Sequence, residues 1–156
     1  MIIGLAGSVV LGLRDFTDAG KMAELEKSVE NASGESKEMA QGVLNGTRKL
    51  LGVDNLSSGH FRNGGIVSFL VGVTLLLLMV LLLMKKSSLY IRVFIGLLVV
   101  SMASVILNPA FSAGPNGPLS SRILALIVAL IGTVGGLFGL ANALLRRKLG
   151  RSKGLE

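Results

Sequence analysis

Three long apolar runs constrain this chain more than any other feature. Residues 66–84 and 123–145 carry no charged side chain, and residues 89–107 carry one, Arg92, near the start. At about 1.5 Å rise per helical residue, the runs extend about 28, 28 and 34 Å, against a hydrocarbon core of about 30 Å. They do not alternate polar and apolar positions, which excludes barrel strands. A long arginine stem at a helix end reaches back to the headgroups, so Arg92 does not veto a span. Composition agrees with a bilayer: 51% of residues are hydrophobic, 16% charged and 4% aromatic, with a mean hydropathy of +0.69. A soluble domain carries about 25% charged residues. The expected fold class is therefore an all-α integral membrane protein with three transmembrane helices and an N-terminal helical arm. The helices are placed at 66–84, 89–107 and 123–145, the arm at 1–65 and a basic tail at 146–156.

Connections and charge set the expected topology. Lys85, Lys86, Ser87 and Ser88 join the first two spans, a link short enough to force an antiparallel hairpin. The second connection contains Pro109, Gly114, Pro115, Gly117 and Pro118, and Pro109 should end the second helix. Lys85 and Lys86 lie in the hairpin, and Arg146, Arg147, Lys148, Arg151 and Lys153 in the tail. The lysine and arginine bias therefore places hairpin and tail in the cytoplasm. An odd number of spans then puts the arm, and the N-terminus, on the non-cytoplasmic side. These seven basic residues are read as anchors to an anionic membrane surface.

The arm divides into two helical patterns and a linker. Residues 2–16 gather Ile2, Ile3, Leu5, Ala6, Val9, Val10, Leu13 and Phe16 on one face. Gly4, Gly7, Ser8, Gly12, Arg14, Asp15 and Asp18 occupy the other. This amphipathic segment is too short to span, so it is expected to lie in the interface or to dock onto another helix. Residues 21–51 carry a heptad: Met22, Leu25, Val29, Ala32, Ser36, Met39, Val43, Gly46 and Leu50. Ser36 and Gly46 weaken that seam, and the pattern reads as a helix, or two helices broken at 31–34, lying on a neighbour. Residues 52–65 read as a glycine-rich linker. Three glycosylation sequons start at Asn31, Asn45 and Asn55, all in the arm.

On the third span, Ala125, Ala129, Gly132, Gly136, Gly139 and Ala143 recur at alternating spacings of four and three. They form a nearly side-chain-free stripe about 27 Å long. In lipid, close backbone approach and van der Waals fit replace hydrophobic drive between helices. The stripe is thus a helix-packing interface, either for the first two spans of the same chain or for a second copy.

Residues that carry chemistry are nearly absent. The chain has no cysteine and one histidine, which excludes thiol catalysis and a multi-histidine metal site. His60 sits beside Phe61 and Arg62 in the linker and reads as a solvated or interfacial residue. The arm acids Glu24, Glu26, Glu30, Glu35 and Glu38 alternate with lysines as on a solvated face. The spans hold hydroxyls and Asn142 but no interior Asp, Glu, Lys or His, which argues against a proton relay. No cofactor, metal site, catalytic residue or nucleic-acid surface is expected. The expected function is a non-enzymatic subunit of an oligomeric membrane complex, packing through the stripe. The alternative is an oligomeric channel or transport component with a path lined by Ser, Thr and glycine backbone. The expected partners are the bilayer and copies of the chain or other membrane subunits.

Overall fold

The computed structural model describes residues 1–50, 57–108 and 121–152, and every element among them is an α-helix. They are α1 (Ile2–Asn31), α2 (Glu35–Leu50), α3 (Ser58–Leu83), α4 (Ser87–Leu107) and α5 (Ser121–Ser152). Three of them, α3, α4 and α5, are long and apolar enough to cross a membrane. Each extends beyond its apolar run. α3 begins at Ser58, so residues 58–65 of the expected linker are helix, and α5 carries the basic segment on as continuous helix through 152. The second connection lies outside the described residues.

The α3–α4 hairpin closes through a Schellman turn. Lys86 N–H donates to Leu81 O at 3.1 Å and Lys85 N–H to Leu82 O at 3.3 Å. These are the two bonds that satisfy the last carbonyls of a helix whose next residue turns left-handed. That residue is Lys85, at φ 58°. The hairpin then packs on α5, and Val71, Leu75, Leu78, Leu81, Tyr90, Phe94 and Leu97 form one continuous core.

The arm departs from expectation. Residues 2–16 are not a separate surface helix; they open the 30-residue α1, which runs antiparallel along α3 and α5. The buried positions of α1 are Gly4, Ser8, Leu11, Gly12, Asp15 and Met22. The apolar face turns outward instead, with Ile3 73% exposed and Ile2, Val10 and Leu13 also exposed. α1 docks on its neighbours through its small and polar face. The reason is steric. A Cβ on Gly12 would sit 3.3 Å from the carbonyl oxygen of Gly65, and one on Gly65 3.3 Å from that of Gly12. Backbones this close need small residues at the crossing, as in membrane helix pairs. Met1 reaches Gly135 and Gly139 of α5, in the half of the bundle nearer the basic segment. Met1 and the basic segment therefore lie toward the same end of the bundle.

The heptad also divides. Met22, Leu25 and Val29 stay on α1, Ala32 leaves the helix in an extended conformation, and Gly34 takes φ 60°. The chain reverses there, and α2 returns to pack on α1, with Leu44 beside Met22 and Phe61. Seam positions Met39 and Val43 are left facing outward, Met39 76% exposed. Two poor seam residues and a glycine at 34 make the fold-back more favourable than one long helix. Glu26 ties the corner together: it accepts from Ser58 N–H at 3.2 Å and Ser58 Oγ at 2.7 Å, and lies 3.8 Å from the Arg48 guanidinium. The solvated-face reading of the acids therefore fails at Glu26, which satisfies an amide in the first turn of α3.

Candidate functional site

The stripe on α5 is filled from within the chain. Gly132 faces Leu75 and lies against Gly4 of α1. Gly136 faces Phe94 and Leu97, and Gly139 faces Tyr90 and Met1. Ala125 and Ala143 are buried, while Ala129 is partly covered and borders an open apolar groove between α4 and α5. A Cβ on Gly136 would sit 2.5 Å from Phe94 Cε2, and one on Gly139 would overlap the Tyr90 hydroxyl. That hydroxyl donates to Gly136 O at 2.9 Å. Of the two uses expected for the stripe, the intramolecular one accounts for five of its six positions.

A second cluster escapes the sequence patterns. Asp15 of α1, Ser68 of α3, Ser104 of α4 and the α4 C-cap Asn108 are all buried, and Asp15 and Asn108 meet at Gly64. The Asn108 amide donates to Ser104 O at 2.7 Å, Ser104 Oγ at 3.2 Å and Ser68 Oγ at 3.4 Å. Its Oδ1, and an oxygen of the Asp15 carboxyl, lie 3.0 and 3.4 Å from where a Gly64 Cβ would be. Arg122 closes the end, donating to Asn108 O and Ile106 O, both at 3.2 Å. These hydrogen bonds join α3, the end of α4 and the start of α5, with Asp15 of α1 buried beside them, while Asn108 Oδ1 is buried without a hydrogen bond among the described residues. Asp15 is an ionisable side chain inside the bundle, contrary to the expectation drawn from the three spans alone. The readable signal was Gly4, Ser8 and Gly12 at spacings of four, with Asp15 next on that face: a small-residue stripe rather than a polar surface.

Lys85, Lys86, Arg146 and Lys148 lie at the other end. A cavity of about 500 Å³ opens between the α3–α4 turn and α5, lined by Leu81, Leu82, Lys85, Ser87, Tyr90, Ala143 and Arg146. Arg146 donates from Nε to Asn142 Oδ1 at 3.0 Å. Lys86 and Lys148 are exposed at the same end. Arg147 and Arg151 lie within α5, and Lys153 lies outside the described residues.

The remaining candidates stay isolated. His60 Nδ1 receives the Ser57 N–H at 3.3 Å and lies 2.8 Å from Ser57 Oγ, a local cap at the start of α3. Thr74 donates to Leu70 O at 2.7 Å, one turn back, the default bond of a helical hydroxyl. Asn31 and Asn45 are exposed on α1 and α2, and Asn55 lies outside the described residues. Among the described residues no three His, Cys, Asp or Glu side chains converge as metal ligands. Comparison of the chain with family models, curated proteins and solved structures finds no match.

Proposed function

We propose that the chain is a non-enzymatic subunit of a multi-pass membrane assembly. In this reading α3, α4, α5 and the first half of α1 anchor it in the bilayer, and α2 carries contacts to other subunits or to further copies. Bilayer placement is supported by the outward faces of these helices. Leu70, Val73, Leu77, Ile95, Val99, Met102, Leu130, Val134 and Phe138 are all exposed. A water-soluble protein rarely shows so much contiguous aliphatic surface.

One observation carries the assembly role: the outward strip of Met39 and Val43 on α2. Beyond Glu26, which holds the start of α3, α1 continues past the bundle to Asn31, and α2 returns from there. That segment carries Lys27, Glu30, Glu35, Lys37 and Glu38, a charge density suited to water rather than lipid. Apolar side chains exposed in water at one-turn spacing on an amphipathic helix are the usual mark of a partner surface. The filled stripe on α5 then serves to hold the anchor together rather than to join copies. Leu75, Leu78, Tyr90 and Leu97 fill the bundle interior, and Ser68 and Ser104 face the junction, which favours an anchor over a path through one chain.

The test is the mass of the complex extracted in mild detergent. The expected result is a defined assembly larger than one chain, reduced by Met39→Glu with Val43→Glu, and no solute flux from proteoliposomes. A monomer insensitive to these substitutions would overturn the reading. Reproducible conductance would favour the channel alternative.

A further inference from the structure

The cavity at the hairpin end has two kinds of wall. Leu81, Leu82 and Ala143 make an apolar floor, while Lys85 and Arg146 bring cations from two separate elements to the rim. Ser87 adds a hydroxyl, and no acidic side chain stands among the described residues lining it. The start of α4 opens beside it: its N-cap, Lys86, makes no side-chain capping bond to the first-turn amides. Two cations, a hydroxyl and a helix start together favour an anion. The apolar floor beneath favours one attached to hydrocarbon.

The backbone of Lys85 gives a separate reason. It occupies the left-handed position of a Schellman turn, which glycine fills without steric penalty. A lysine held in that conformation is strained, and such strain persists where the side chain is needed.

We propose that this cavity binds the phosphate headgroup of an anionic phospholipid, with Lys85 and Arg146 on the phosphate and the glycerol and first methylenes against Leu81, Leu82 and Ala143. The site is a discrete one and differs from diffuse attraction of a basic segment to a charged surface. It rests on the membrane reading above. A protein that still requires detergent but fails the binding test below would overturn this proposal alone.

Tyr90 lines the cavity and is the only tyrosine in a chain without tryptophan, so its fluorescence reports on this site. Short-chain phosphatidylglycerol is titrated into the full-length protein in neutral detergent, in parallel with phosphatidylcholine of the same chain length and with inorganic phosphate at matched ionic strength. A saturable change with phosphatidylglycerol, at least about fivefold tighter than with phosphatidylcholine, is expected. Equal binding of the two lipids would overturn the proposal, and so would equal saturation by inorganic phosphate, which marks a free-anion site. Lys85→Gly and Arg146→Gln are each expected to weaken binding about fivefold. Lys85→Gly should also raise the thermal midpoint of the lipid-free protein, because it relieves the backbone. That combination separates a lost ligand contact from a damaged fold. Arg62→Gln, at the opposite end of α3, should leave the titration unchanged. An equal loss there would mean diffuse electrostatics and would overturn the site.

Discussion

Single atoms decide the packing of α5. At Gly139 even a methyl group would collide with the Tyr90 hydroxyl, whose bond to Gly136 O fixes the ring. Gly139→Ala and Gly136→Ala are therefore expected to destabilise the bundle by about 1–3 kcal/mol each, the usual range for overpacking. Tyr90→Phe removes the hydroxyl and one hydrogen bond, worth about 1 kcal/mol. Because it also relieves part of the clash, Gly139→Ala should cost less in the Tyr90→Phe background than in the native chain. Denaturant titration of the four proteins of that cycle measures the coupling; additive effects would refute the contact. The polar junction obeys a different rule. Asn108→Ala leaves Ser68 and Ser104 facing a void and should destabilise by about 1–3 kcal/mol. Removing a buried partner costs more than the bond contributed. A change within about 0.5 kcal/mol would show that the junction is not formed.

At the scale of elements, α1 and α2 show how weak local preference yields to contact. Gly4, Gly7, Gly12 and Gly20 lie inside α1, each unfavourable by about 1 kcal/mol against alanine. Gly12 is compensated by its close approach to Gly65 and Phe69, and Gly4 by Gly132. Gly42 of α2 has nothing within 4 Å of its would-be Cβ. Gly42→Ala should thus raise stability by up to about 1 kcal/mol, whereas Gly12→Ala, which would push a Cβ to 2.7 Å from the Phe69 ring, should lower it. Thermal unfolding in detergent of the two variants is expected to move in opposite directions. The same sign for both would mean that α1 does not lie on α3. The turn between α1 and α2 depends on Gly34 at φ 60°, where alanine is strained.

For the whole molecule, the distribution of apolar surface governs behaviour. The core is small and the outward aliphatic surface extensive, so burial within one chain cannot account for the stability of the bundle in water. The protein is expected to fractionate with membranes, resist extraction by alkaline carbonate and require detergent to remain dispersed. Recovery in the soluble fraction without detergent would contradict bilayer placement. The two ends of the molecule then differ in kind. One carries the basic cavity and the other the polar junction and the α1–α2 hairpin, so the proposed lipid site and the proposed partner surface lie toward opposite ends of the bundle.

The three apolar runs were legible because length and the absence of charge are local properties, and they recur as α3, α4 and α5 with longer ends. The stripe on α5 was equally plain, since its spacing is a property of one helix; which neighbour would fill it was not. The sequence misled at α1, where glycine, serine and aspartate look like a solvent face when compared with water. They are the inner face because the small residues admit a neighbouring backbone and the aspartate meets Gly64 beside Asn108. Nor does any single segment reveal that Glu26 reaches Ser58, that Asn108 reaches Ser68, or that Lys85 and Arg146 share a cavity. Periodicity along the chain determined which stretches became helices. Only the packing of helices distant in sequence decided which face of each turned inward, because that choice depends on the shape and polarity of the surface that arrives to meet it.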